Sequence, residues 1–243
     1  MLHIGVQAVS LPRVRHRTDG VCRCDWTMLG PMTEYTLHGR SSSHYTRVVR
    51  VLALELGMPL RFEPIYDMTD MTPACYGGHP AMKVPCLQLD DAPVYGTENI
   101  CRTLARVSAR ASGPGAQVTW PEQLADVDCG NAQELVWQCM AAQVQLVFGI
   151  TVNKLPADNL YFAKARAGLQ GALAWLDAHV DGVLGGLPAT RRTSLFEVTL
   201  FCLVDHLAFR RSVPVDHCPA LQSFAYAWAA RASAQATPYR FDA

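Results

Sequence analysis

Charge is what this sequence has least of. Only 17% of its 243 residues are Asp, Glu, Lys or Arg, and 21 basic residues balance 21 acidic ones to a formal net charge of zero. No single-signed field is therefore available to attract nucleic acid or an anionic membrane. The nine cysteines are scattered and odd in number, and the close pair Cys22 and Cys24 has a CxC spacing that fits neither a zinc knuckle nor a CxxC redox site. A reduced, cytoplasmic protein is the simplest reading. No uninterrupted apolar run approaches the ~20 residues that a membrane helix needs. What the chain has in quantity is apolar surface: half its residues are hydrophobic, enough for a sizeable core in one large or two ordinary domains.

Residues 1–31 stand apart. They hold Arg13, Arg15, Arg17 and Arg23, little periodicity and no apolar core of the kind a secretory signal requires, so they read as a disordered extension or as sequence upstream of a start at Met32, with a basic targeting arm as the functional alternative. From Thr33 the pattern sharpens. Tyr35 to His38 alternates as a short strand, Gly39 to Ser43 is a polar loop, and Arg47 to Leu56 is helical and stops at Gly57. In that helix only Arg47, Arg50 and Glu55 are polar, which predicts a mostly buried element. Leu60 to Glu63 follows as a second strand, continuing past Pro64 into Ile65 and Tyr66, and a crossover helix between two strands implies a parallel βαβ unit.

His79 to Asn99 holds the densest pattern. Lys83-Val84-Pro85 leads into the apolar run Cys86 to Leu89, Asp90-Asp91 supplies a turn, Val94-Tyr95 is a further strand, and Gly96-Thr97 opens a helix reaching about Val107. The segment 111–116, Ala-Ser-Gly-Pro-Gly-Ala, is the clearest linker, and residues 111–123 divide two domains, 32–110 and 124–243. Beyond it strand signals nearly vanish: Leu124 to Phe148, Leu160 to Val180, Ser194 to Phe209 and Leu221 to Ala232 carry helical spacing, and Ser194-Leu195-Phe196-Glu197 is a capping box. Expected is an α/β N-terminal domain of βαβ-ββα order followed by an all-α helical bundle.

The segment His79-Pro80-Ala81-Met82-Lys83-Val84-Pro85 with Glu98-Asn99 resembles the glutathione-contacting half of the glutathione S-transferase family, where an Asn-Pro-x-x-Lys/Gln-Val-Pro segment precedes one strand and a Glu-Ser pair follows the next. His79 replaces the usual Asn and Asn99 the usual Ser. Leu37 to Gly57 is similar to the serine- or cysteine-type members, and the likeness extends over residues 32–224. It implies a thioredoxin-like glutathione-binding domain, glutathione as co-substrate with no metal, a small electrophile met by the helical domain, a cytoplasmic homodimer with a detoxifying role, and no nucleic-acid or membrane partner. It also places Ser43 at the reactive hydroxyl position, makes Val84-Pro85 cis so that Val84 pairs with the cysteinyl backbone, sets Lys83 toward the glycyl carboxylate, and gives the γ-glutamyl group to Glu98 and Asn99.

Each of these residues also has an ordinary reading. Serine is among the preferred N-caps, a strand-end lysine is usually just solvated, and a carboxylate in the first turn of a helix complements the macrodipole. The chemistry demanded of Ser43 is modest: lowering a thiol pKa from near 8.5 by about two units asks for roughly 2.7 kcal/mol, within reach of a charge-assisted hydrogen bond and a helix N-terminus. Tyr45 is out of register for a phenol-type site and His38 holds the position where such a phenol would stand. His206 reads as a satisfied core histidine, and His179, His217 and Cys218 lack partners at ligand spacing, so no metal is assigned. Trp137 and Phe148 are candidates for an electrophile pocket, though large aromatics on a helix are more often core. Glutathione-dependent isomerisation or dehalogenation, or a non-catalytic binding protein on the same fold, are the alternatives.

Overall fold

Strand β1 (Tyr35–Gly39) is buried except at half-buried His38, and helix α1 (His44–Glu55) begins directly after the polar loop that ends at Ser43. The structure, a computed structural model, describes residues 35–242 except 59, 90, 91 and 125; the expectations for residues 1–31 and for an Asp90-Asp91 turn lie outside the described residues. Strand β2 (Leu60–Pro64) pairs parallel with β1, Tyr35 opposite Leu60 through Gly39 opposite Pro64, which is the βαβ unit the pattern implied. It ends at Pro64; Ile65 and Tyr66, expected to extend it, are not part of the strand. Strands β3 (Cys86–Leu89) and β4 (Ala92–Tyr95) form the antiparallel hairpin, with β3 antiparallel to β1, giving the order β2-β1-β3-β4. Helix α2 (Thr97–Arg110) then covers the sheet beside α1.

The remainder is helical: α3 (Val127–Leu146) with a π-helical continuation Val147–Val152, α4 (Leu160–Gly185), α5 (Leu195–Arg210), α6 (Pro219–Ala229) and α7 (Ala232–Gln235). The capping box is as read: the Ser194 Oγ accepts from Glu197 N–H at 3.1 Å, and Glu197 accepts from Ser194 N–H at 2.9 Å. Arg191 adds a bidentate pair to the same carboxylate, at 2.9 and 2.7 Å. Residues 127–152 are long and apolar enough in length and composition to cross a membrane, contrary to the apolar-run count. In the fold this helix packs along α4 and α5, and its buried Gln133 donates to the Thr199 hydroxyl at 3.1 Å.

Two local features were not legible. The 111–116 segment is not a loose tether: residues 114–117 form a 3-10 turn, and a Cβ on buried Gly115 would stand 2.0 Å from the Ala105 carbonyl oxygen, so the turn is pressed onto α2 where only glycine fits. A two-stranded parallel ladder, β5 (Val118–Thr119) with β6 (Thr193–Ser194), then ties the start of the helical part to the entry of α5. The described residues form one compact unit with a continuous apolar core running from Leu37, Val48 and Leu52 through Ile100 and Leu104 to Val136, Leu173 and Phe201.

Helix α1 carries buried charge. Arg47, 4% exposed, pairs with Asp205 of α5, donates to the Ala234 carbonyl and the Thr237 hydroxyl, and lies over the rings of Phe201 and Tyr239 at 4.7 and 4.2 Å. Glu55, 5% exposed, accepts two bonds from Arg231 at 3.0 and 2.6 Å and one from the Ser233 hydroxyl. Burial alone would raise the Glu55 pKa, but the Arg231 and Ser233 bonds, helped by Arg192, outweigh it and hold the carboxyl below its ordinary value. Its contribution to stability is thus present above the unfolded carboxyl pKa and fades as pH falls through the lower folded value. Glu55→Gln should lower unfolding free energy by about 1–3 kcal/mol at pH 7, since Arg231 keeps partial access to water. Urea denaturation of the variant at pH 7 and below pH 4 checks this; a loss as large in acid as at neutrality would contradict it.

Candidate functional site

Antiparallel pairing decides what meets what. Because His38 lies opposite Cys86 and Cys86 opposite Tyr95, the exit of β1, the entry of β3 and the exit of β4 share one end of the sheet. The serine loop, Val84-Pro85 and the first turn of α2 therefore converge there, although Ser43 is 42 positions from Pro85 and 54 from Thr97 in the chain. The Val84-Pro85 bond is cis, as the resemblance implied. Among the described residues, no hydrogen bond engages the Val84 N–H or C=O.

Ser43 is the N-cap of α1: its backbone is extended, with φ −97° and ψ 125°, and its Oγ accepts from Thr46 N–H at 3.3 Å. The ordinary and the functional readings are compatible here. Capping uses an oxygen lone pair, so the hydroxyl proton stays available to a neighbouring anion, with the α1 N–H groups pointing the same way. Ser43 is half-buried, whereas Ser41 and Ser42 are each 2% exposed and turned into the protein. The Ser42 hydroxyl accepts from Arg40 Nε at 3.2 Å. Tyr45 stacks on Trp137 with centroids 6.1 Å apart, and burial pushes its phenol up to about 12, so it stays protonated at neutral pH.

A histidine pair lies under the loop. His44 Nδ1 and His206 Nδ1 are 3.0 Å apart, and His206 Nε2 is 3.1 Å from the Ser42 carbonyl. A carbonyl accepts only, so His206 carries its proton on Nε2 and receives the His44 Nδ1–H on its other nitrogen. His44 Nε2 is then a buried acceptor with no partner. Burial first, then Arg210, lowers the His206 pKa to about 3; burial, His206 and Arg210 drive His44 well down. Both imidazoles are neutral at pH 7 and tie α5 to the serine loop. This pairing was not visible in sequence, where His206 reads alone and His44 not at all.

His79 takes over the turn-forming task expected of an asparagine: its Nδ1 accepts from Ala81 N–H at 3.1 Å, and its ring lies against Tyr95. Gly77, just upstream, has φ +63°, and a Cβ there would meet the His38 ring at 2.5 Å. Lys83 is exposed beside the sheet end, as a strand-end lysine would be in either reading. Glu98 and Asn99 occupy the first turn of α2, but neither waits free. Glu98 accepts from Arg102 at 2.7 and 2.8 Å, Arg102 also grips Glu122 at 2.6 and 2.8 Å, and the Asn99 amide donates back to the Tyr95 carbonyl at 3.2 Å. Among the described residues no three His, Cys, Asp or Glu side chains are grouped to hold a metal.

The neutral histidines set an acid limit. A histidine with depressed folded pKa contributes stability present above the unfolded value near 6.5 and lost as pH falls below it, with a slope of up to about 1.4 kcal/mol per pH unit for each group. With His44, His79 and His206 all shifted down, unfolding free energy should fall between pH 6.5 and 5, and His206→Gln should flatten that fall. A pH-independent denaturation midpoint across this range would contradict the assignment.

Comparison with known proteins follows the geometry. Residues 42–107 match the family model for the glutathione S-transferase N-terminal domain. No curated protein matches the chain. Among solved structures, the fold is similar to a glutathione S-transferase from Methylobacillus flagellatus with glutathione bound, at TM-score 0.69 and 21% identity, covering 85% of this chain and 100% of that one. It is also similar to one from Methylobacterium radiotolerans in complex with glutathione sulfonate, at TM-score 0.66 and 22% identity, covering 87% and 98%. A poplar glutathione transferase aligns at TM-score 0.63 and 16% identity, covering 84% and 96%. The N-terminal domain model thus spans the end of the serine loop from Ser42, the cis-proline hairpin and most of α2, and the fold of those transferases extends over most of the chain.

Proposed function

We propose that this protein is a glutathione transferase that joins the glutathione sulfur to an electrophilic carbon of a small, apolar-bodied substrate. One observation carries the reading: a helix-capping serine with its hydroxyl proton unspent shares a sheet end with the unpaired Val84 backbone before a cis-proline and with the Glu98-Asn99 turn. A tripeptide laid across that end would pair its cysteinyl backbone with Val84 as a short added strand. Its glycyl carboxylate would face Lys83 and its γ-glutamyl end Glu98 and Asn99. The solved structures of similar fold with glutathione or glutathione sulfonate bound support glutathione as the ligand.

In the reaction the thiol proton leaves to solvent and Ser43 donates its hydroxyl hydrogen bond to the resulting thiolate, aided by the α1 N-terminus. Sulfur then bonds to the electrophilic carbon, and the leaving group departs with its electron pair or, in an addition, the carbanion takes a proton. Tyr45 and Trp137, stacked between α1 and α3, stand beside the loop as the apolar wall of the electrophile site. We further propose a cytoplasmic homodimer.

A non-catalytic binding protein on the same fold is favoured by one feature, the commitment of Glu98 to Arg102 and of Asn99 to Tyr95. Calorimetric titration with glutathione separates the two. Glu98→Ala should weaken binding about tenfold or more, the loss of a charge-assisted contact. Ser43→Ala should leave affinity within about threefold while lowering turnover about a hundredfold, the mark of an interaction made with the thiolate. No heat at millimolar glutathione would sink the transferase reading.

A further inference from the structure

Ser41, two residues before Ser43, donates its backbone N–H to the Oδ2 of Asp242 at 2.7 Å, and that carboxylate side chain is only 4% exposed. The Ser41 hydroxyl beside it is buried and has no partner among the described residues. Arg240 reaches the other oxygen of Asp242 at 4.0 Å, whereas among the described residues neither Arg40 nor Arg210 has a carboxylate partner. Arg40 is spent on the Ser42 hydroxyl and on the carbonyls of Ile65 and Tyr66. Arg210 is half-buried at the end of α5 and has two long polar contacts: 3.5 Å to the Ser42 carbonyl and 3.4 Å to His206 Nε2, a nitrogen that already carries a proton. The two guanidiniums are near enough that Arg40, after burial, lowers the Arg210 pKa. Phe209 and Phe241 flank Arg210 with centroids 5.3 and 4.9 Å from it, an apolar border to a cationic point.

A loop N–H, a buried hydroxyl with no partner among the described residues and, one residue on at the Ser42 carbonyl, an arginine without a carboxylate make a receptor for a carboxylate, and Asp242 now holds its N–H. We propose that this is the specificity site of the enzyme: the electrophile carries a carboxylate on an apolar body, which Arg210 receives with the Ser41 N–H and hydroxyl, displacing Asp242. The proposal rests on the transferase reading for the word electrophile, but the carboxylate preference can be measured by itself. A seat adjoining Ser43 would place the body of such a molecule next to the sulfur. It would also give the Ser41 N–H the acceptor that Asp242 withdraws, so exchange leaves that buried donor paired.

Benzoate and its neutral isostere benzamide are the probes, titrated calorimetrically into the whole protein with and without glutathione. Benzoate should bind about tenfold tighter than benzamide, one charge-assisted contact. Arg210→Gln should erase that preference, Arg210→Lys should restore part of it, and Asp242→Asn should tighten benzoate severalfold by removing the tethered competitor. Melting curves identify a variant that has lost its fold, and Arg40→Gln, which should weaken the preference, then serves as the second test. Equal affinity for the two probes, or a preference that survives Arg210→Gln, overturns the inference. Glutathione binding without a benzoate preference rejects this site and leaves the transferase reading standing; a benzoate preference without glutathione binding upholds the carboxylate site and rejects the transferase reading.

Discussion

The C-terminal segment runs back along α1 and is fastened to it at three levels by charge. Arg231 and Ser233 hold Glu55 at the end of the helix, Ala234, Thr237 and Tyr239 surround Arg47 near its start, and Asp242 reaches the Ser41 amide in the loop before it. Tyr239 is itself anchored by donating to the Cys202 carbonyl at 2.6 Å. A buried charge with its partners in place adds little net stability, but losing one partner is severe, so this pattern fixes position more than it adds free energy. Its effect is to set the N-terminus of α1, and with it Ser43, against a helical scaffold rather than leaving it on a mobile loop.

The sheet supplies the other half of the frame. Antiparallel pairing of β3 with both β1 and β4 brings the cis-proline turn and the start of α2 to the same end of the sheet as the loop. His79 and Gly77 shape the approach to that turn, one by accepting a backbone N–H and one by admitting the His38 ring. Underneath, His206 reaches from α5 to the Ser42 carbonyl. His206 and Asp242, far apart in sequence, thus hold the serine loop, each through one of its backbone groups.

How much of this could be read beforehand depended on how local the cause was. The strand, serine loop, helix and hairpin carry local periodicity and turn chemistry, and they were legible together with the capping box; the cis-proline followed only from the family resemblance. Arg47 and Glu55 were visible only as polar residues in an apolar helix; their partners lie 158 and 176 positions away, and no pattern reports contacts of that range. For the same reason the His44-His206 pair and the Asp242 contact with Ser41 were invisible. The 111–116 segment has the composition of a flexible tether, but Gly115 is there for close approach to Ala105 rather than for freedom. At the site, sequence placed Glu98 and Asn99 correctly in the first turn of α2 and gave no sign that Arg102 and Tyr95 hold their side chains.

The central claim is that a capping serine at the start of a firmly held helix stabilises a thiolate. Its direct test is the ultraviolet thiolate absorbance of glutathione bound to the protein, followed as a function of pH. The account predicts a bound thiol pKa about two units below the free value near 8.5, moving back toward it in Ser43→Ala. A saturated complex whose thiol titrates at the free value, in the native protein and the variant alike, would contradict it.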